Sequence, residues 1–241
     1  MNNVKRLAQA ARAWLQYEFA CNRSELFNER CLSVPIASAL HAIYKQEVRA
    51  EYLHPILGPL KSGPGRRPEV DFAVISSYPN VSCVLESKWI GPSGFSIDDV
   101  VWDLPRLELI AHEKKADAFF LLAGRRKYLE SFFRSSAFLG KRTSAGKYRS
   151  ILKVRPAPRL QIAGPVSYRL ELFRKIFEAY QDISFPTEMS MSVGHAYPEV
   201  CPTFQYQAYV WHVHAPQSIR RFLPRDHKSY GSHVANSMRN H

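Results

Sequence analysis

The segment from Arg66 to Trp89, RRPEVDFAVISSYPNVSCVLESKW, holds two apolar runs, and charge interrupts each at alternate positions. Glu69 and Asp71 stand two residues apart in the first run, and Glu86 and Lys88 two apart in the second. Alternate side chains of an extended strand point to the same face. The spacing predicts that Glu69 and Asp71 share one face, with Val70, Phe72 and Val74 opposite. It likewise puts Glu86 and Lys88 on one face of the next strand, with Cys83, Leu85 and Trp89 opposite. Antiparallel pairing across the short connection at Tyr78, Pro79 and Asn80 would bring Asp71 beside Glu86. Adjacent like charges destabilise a sheet unless something neutralises them, and a divalent cation with oxygen ligands does so directly. Lys88 then stands beside the ion, placed to hold a water or a phosphate oxygen. The competing reading makes these four residues edge-strand charges that prevent strand-to-strand aggregation.

The elements that must position these residues follow from hydrophobic periodicity. From Val4 to Phe19, residues Leu7, Ala8, Ala11, Trp14, Leu15 and Phe19 fall near helical spacing and predict an amphipathic helix. A second helical stretch, about 24–44, contains Pro35, which a helix interior does not tolerate, so Ser33 is expected to cap a separate helix from Val34. Glu47 to Leu53 alternates as a first strand. The turn-forming HPILGPLKSGPGRRP follows, with three glycines and four prolines, and then strands over Glu69–Ile75 and Val81–Trp89 complete a three-stranded meander. Ser96 is a good N-cap, with Asp98 and Asp99 in the first turn, for a helix reaching about Glu113. That helix either kinks at Pro105 or restarts with Asp103 as its cap. Asp103 and Arg106 form either a polar brace under the site or a helix cap and a solvent-facing arginine. The run AFFLLAG, Ala118 to Gly124, reads as a strand buried on both faces and parallel to a neighbour. Further on, Tyr168–Tyr180 is helical, Tyr206–His214 is a strand, and a basic tail follows. The expected fold class is α/β of the α+β type. The expected organisation is one domain over 1–241, with a core over 24–124 and, over 125–241, a basic segment followed by carboxy-terminal helix and strand additions.

Composition narrows the function classes. With 241 residues and 46% hydrophobic content the chain can bury a substantial core, which excludes global disorder. No run approaches the roughly 18 apolar residues of a membrane span, and the amino terminus lacks a basic segment followed by an apolar core. This predicts a soluble, unexported protein without a membrane partner. Cys21, Cys31, Cys83 and Cys201 are scattered and fit no CxxC spacing, which suits a reducing cytoplasm. The net charge of +12 favours a polyanionic partner, because nucleic acid releases counterions when Lys and Arg neutralise its phosphates. From Arg125 to Arg159 eleven Lys or Arg face a single acid, Glu130. Within that segment Arg125, Arg126, Lys127, Lys141, Arg142, Lys147 and Arg149 are candidate phosphate contacts. Tyr128, Phe132, Phe133, Phe138 and Tyr148 are interleaved with them, either to pack on bases or sugars or turned into the core under a solvated basic surface. His212 and His214 share one strand face, yet no third metal ligand sits at a diagnostic spacing, and His195 is merely available; packing or surface roles are expected of them.

The residues resemble the PD-(D/E)xK nuclease superfamily, the restriction endonuclease-like fold, over about 25–124. Asp71 matches the motif's aspartate, with Pro68 a little upstream where the commoner arrangement puts proline directly before it. Glu86, Ser87 and Lys88 match the (D/E)xK half, and helix, three-strand meander, helix and buried strand come in the family's αβββαβ order. The resemblance implies metal-dependent hydrolysis of nucleic acid, DNA favoured over RNA, in restriction, phage defence or repair. It implies Mg²⁺, with Mn²⁺ able to substitute, held by Asp71, Glu86 and the backbone carbonyl of Ser87. Asp71, Glu86 and Lys88 become the catalytic set, with Lys88 stabilising charge on the phosphate or orienting the attacking water. An additional acid is expected from Glu29, Glu47 or Glu51, while Glu69 could support a second ion. Arg66 and Arg67 either hold the nucleic-acid backbone or belong to a solvated hairpin. Cleavage of both duplex strands by a one-site chain calls for two copies, so a homodimer is a candidate assembly, although no coiled-coil seam is visible. Two rival classes remain: a catalytically inactive nucleic-acid-binding protein or accessory subunit on the same fold, and an interaction protein whose charge binds ribosomes or acidic partners.

Overall fold

A computed structural model describes residues 3–60, 65–77, 79–140, 142, 144, 146, 150–154, 159–161 and 167–230. Lys141, Lys147, Tyr148, Arg149 and Arg155 of the basic segment, Tyr78 of the hairpin connection and the last eleven residues of the basic tail lie outside them.

The chain begins with helix α1 (Asn3–Ala20) and two short 3₁₀ turns (Ser24–Leu26 and Glu29–Leu32). It continues through α2 (Ser33–Tyr44), β1 (Glu47–Leu53), the single turn α3 (Leu57–Leu60), β2 (Glu69–Ser77), β3 (Asn80–Ile90), α4 (Ile97–Lys114) and β4 (Asp117–Arg125). After it come α5 (Arg126–Arg134), α6 (Ser136–Leu139), β5 (Arg159–Gln161), α7 (Ser167–Ala179), β6 (Phe185–Pro186), β7 (Glu188–Val193), β8 (Tyr206–His214) and β9 (Arg221–Phe222). Seven strands form one mixed sheet in the order β1-β2-β3-β4-β8-β7-β5, and β6 and β9 pair separately. Among the described residues only the β3–β4 pair is parallel within it.

Helices cover both faces. Along β4, Phe119, Leu121 and Ala123 meet α1 and α2 through Leu7, Ala11, Leu15, Ile36 and Leu40. The alternate residues Ala118, Phe120 and Leu122 meet α4, α5 and α7 through Leu104, Leu107, Phe132, Phe133, Phe173 and Phe177. This is why AFFLLAG is apolar without interruption: a strand between two helical layers has no wet face.

The helix boundaries obey local chemistry. Ser96 caps α4, its Oγ accepting the Asp98 N–H at 3.2 Å, and Asp98 and Asp99 sit in the first turn. Of the two expected outcomes the restart does not occur: α4 is one helix from Ile97 to Lys114 with Pro105 inside it. Asp103 is accordingly an interior helical residue and caps nothing. The stretch before α2 is two 3₁₀ turns instead of continuous helix, and Pro35 falls in the first turn of α2, where its missing N–H has no helical partner to lose.

Candidate active site

Asp71 sits where the sheet ladder opens. On one side the β2–β3 pairing ends at Phe72 opposite Leu85, although β3 stays paired with β4 through Ile90. On the other side the β1–β2 register passes from Ala50–Phe72 to Tyr52–Val70, skipping Glu51, the residue opposite Asp71. Glu51 has a φ of 47°, a left-handed conformation uncommon outside glycine, and the ladder loses this one pair without a change of register. With the ladder interrupted, the Asp71 carboxylate takes over as acceptor: Oδ2 receives the Ser87 backbone N–H at 2.7 Å and the Ser87 hydroxyl at 2.9 Å. This contact holds Asp71 of β2 against the Glu86-Ser87-Lys88 segment of β3.

Glu86, on the sheet face covered by α4, is buried, and its Oε1 has no hydrogen-bond partner among the described residues. α4 supplies the groups around it. Arg106 Nη2 lies 3.8 Å from Glu86 Oε1 and also donates to the Glu69 carbonyl, while Nη1 lies 3.1 Å from Asp103 Oδ1. Lys88 Nζ stands 3.2 Å from Asp103 Oδ2 and 3.7 Å from Glu29 Oε1. Asp103 and Arg106, both buried, are therefore the polar brace under the site. Glu29 arrives from the opposite helical layer, so groups from both faces meet at the opening between β2 and β3.

The electrostatics follow from four carboxylates sharing a poorly hydrated space with two cations. Burial first, then Asp103 and Asp71, push the Glu86 carboxyl well above the usual carboxylate range, against the pull of Arg106 and Lys88. Burial raises Asp103 as well, opposed by Lys88 and Arg106, and raises Glu29, opposed by Lys88. For Lys88, burial works against the ammonium, but Asp103, Asp71, Glu86 and Glu29 outweigh it and hold its pKa above the ordinary lysine value. Lys88 is consequently a firm cation at neutral pH.

These groups line a cleft of about 1390 Å³. Asp71, Glu86, Ser87 and Lys88 all line it, as do Glu29, Glu51, Glu69, Arg66 and Arg67. Glu47 does not. It stands opposite Ile75, four residues along β2 from Asp71, and its carboxylate is bound by Arg49 at 2.8 Å. Arg66 lies 2.5 Å from Glu69 and 3.4 Å from Glu51, which couples the three at the cleft rim. In the basic segment, Arg125 donates to the Tyr206 hydroxyl, Arg126 pairs with Glu130 at 2.7 Å, Lys127 sits over the Tyr128 ring, and Arg142 donates to the Gly146 carbonyl. None of these four lines the cleft. Phe132, Phe133 and Phe138 are buried in the core, so of the two readings of the interleaved aromatics these three follow the core one.

The donor set can be tested against a divalent ion. Among the described residues no three His, Cys, Asp or Glu side chains form a preassembled metal-binding group. Mg²⁺, however, keeps several waters and is commonly held by one or two carboxylates together with substrate oxygens. Asp71 and Glu86, whose Oε1 accepts no hydrogen bond among the described residues, are two carboxylates of that kind lining one cleft. His212 and His214 lie elsewhere: His212 pairs with Asp117 at 3.2 Å and His214 with the Ser192 hydroxyl at 2.8 Å.

Three partners of the site gave no clear signal in the sequence. His54 is fully buried; Trp102 and Tyr180 line the cleft together with the acids. Trp102 precedes Asp103 and lies four residues before Arg106, a helical spacing that could have marked it as facing the same cleft. No helix among the described residues is long and apolar enough to cross a membrane. Compared with known proteins, the chain matches no family model, no curated protein and no solved structure.

Proposed function

We propose that this chain is a Mg²⁺-dependent nuclease of the PD-(D/E)xK kind, hydrolysing phosphodiester bonds of nucleic acid, with DNA as the favoured substrate. The observation that carries the reading is the convergence of Asp71, Glu86 and Lys88 in one cleft at the interruption of the strand ladder. A buried carboxylate oxygen that accepts no hydrogen bond, with Arg106 at 3.8 Å as its ion-pair partner, adds little to a sheet and calls for a functional account.

Asp71, Glu86 and the Ser87 carbonyl would hold the ion, which when bound neutralises phosphate charge and makes a coordinated water more acidic. Ser87 fixes the Asp71 carboxylate through two hydrogen bonds, so one of its oxygens is preoriented before substrate arrives. Lys88 supplies a fixed positive charge where negative charge grows on the phosphoryl group. Asp103 is a positioning residue: it holds the Lys88 ammonium from the α4 side while Glu29 holds it from the other. Arg106 offsets part of the repulsion among the buried acids. Arg66 and Arg67 at the rim would contact the substrate backbone.

The test is incubation of the purified chain with plasmid, linear duplex, single-stranded DNA and RNA, with Mg²⁺ or Mn²⁺ and with a chelator. Cleavage is expected with metal and lost on chelation. Asp71→Ala and Lys88→Ala should each reduce it by about a hundredfold or more while leaving binding largely intact. Full activity in either variant overturns the assignment. Binding without cleavage of any substrate selects the inactive nucleic-acid-binding protein instead.

A further inference from the structure

Part of the cleft lining is aromatic. Trp102 of α4 and Tyr180, just past the end of α7, stand with ring centroids 6.0 Å apart at 47°, and both are half-buried. Ala179 and Ile183 line the same cleft, as do the exposed Arg30 and Arg67. The platform is close to the chemistry. Burial raises the Tyr180 phenol and Arg106 opposes that shift, so Tyr180 lies within electrostatic reach of the guanidinium that stands 3.8 Å from Glu86.

Rings with exposed arginines nearby take single-stranded nucleic acid, in which bases stack on rings while Arg and Lys follow the phosphates; here the exposed Arg30 and Arg67 share the cleft with the rings and with its carboxylates. In a duplex the base faces are already stacked on one another. We infer that the Trp102–Tyr180 pair is a stacking site for an unpaired nucleobase adjacent to the scissile phosphate, so that the substrate is a single strand or the frayed or flapped end of a duplex. This rests on the nuclease reading and deepens it by naming the substrate class.

The test uses the full chain in chelator, so that binding is read without cleavage. Tryptophan fluorescence is followed as a single-stranded oligonucleotide of about 12 nucleotides is added, and again with the same sequence as blunt duplex. The single strand should bind more tightly and quench the emission. Trp102→Ala should weaken it roughly tenfold and remove most of the quenching, Tyr180→Leu should weaken it similarly, and Trp102→Phe should recover most of the affinity. Thermal melting of each variant separates lost stacking from lost fold, and Trp102→Phe keeps the test valid if the alanine variant unfolds. Equal affinity of wild type and a folded Trp102→Ala, or preference for blunt duplex, overturns the inference even where Mg²⁺-dependent cleavage is present. Trp102-dependent binding of the single strand with no cleavage in Mg²⁺ supports the stacking site and sinks the nuclease reading alone.

Discussion

His54 illustrates how a single buried residue can support the site from behind. Its Nδ1 accepts the backbone N–H groups of Ile56 and Leu57 at 3.2 and 3.1 Å, so the proton sits on Nε2, which faces the Arg106 carbonyl at 3.3 Å. The ring ties the turn after β1 to α4 beneath Arg106. Burial, with Arg106 adding, pushes its pKa down to about 3. The folded chain therefore keeps His54 neutral while the unfolded chain protonates it below its ordinary value of 6.5. Its contribution is fully present above that value and is lost as pH falls toward about 3. The slope is about 1.4 kcal/mol per pH unit between pH 6 and 4. Urea unfolding of wild type and His54→Gln across that range should show the wild type losing stability faster by roughly this amount. Parallel curves would mean that His54 is not held neutral. None of this is legible in HPILGPLKSGPGRRP, where a histidine among glycines and prolines carries no periodicity. Asp71, Glu86 and Lys88, by contrast, announce themselves because charge at alternate positions violates an apolar strand pattern. Asp103 and Arg106 fall between these cases: an acid and a base three apart in a helix read equally well as cap and surface pair until tertiary packing buries them.

At the scale of elements, the meander, α4, β4, α7 and β8 follow from sequence periodicity, while β5, β6, β7 and β9 do not. Two- and three-residue strands have too few positions to show a period. The six-residue β7 does alternate, with Met189 and Met191 buried and Ser190 and Ser192 more exposed, but methionine and serine lack the β-branched signature of strands. Yet β9 contributes a contact that secures α4. Arg221 makes a two-pronged ion pair with buried Glu108, at 2.7 and 3.2 Å, and donates to the Ser184 carbonyl at 2.6 Å. Burial raises the Glu108 carboxyl and Arg221 opposes that rise. Arg221→Ala leaves a buried carboxylate unpartnered and should cost about 3 kcal/mol in urea unfolding at pH 8. The loss should shrink at pH 5, because a carboxyl freed of its partner takes up a proton more readily and the neutral form is cheaper to bury. Replacing both residues with apolar ones of similar volume should recover most of it. An equal loss at both pH values would count against a charge effect.

Across the whole molecule, a net charge of +12 says that a polyanion is attracted without saying where it is gripped. The densest basic segment, 125–159, invites the answer that it grips there. Several of its described cations are committed to the protein itself: Arg126 bonds Glu130 and the Cys201 carbonyl, and Arg125 bonds Tyr206. Arg67 is instead exposed on the lining of the cleft that contains Asp71 and Lys88. Binding to phosphates has a signature distinct from folding, because each neutralised phosphate releases counterions and steepens the fall of affinity with salt, by about 0.7 per contact for a single strand. In chelator, with a labelled single-stranded oligonucleotide and salt varied from about 50 to 200 mM, Arg67→Ala should make the plot of log K against log salt shallower by about 0.7. Arg126→Ala should leave that slope unchanged and lower the melting temperature, since it breaks an ion pair and a carbonyl contact that anchor α5 to the 201–205 turn. The reverse pattern, a slope that responds to Arg126 and ignores Arg67, would move the nucleic-acid path off the cleft and onto α5, and the acidic centre would then have no strand to cut.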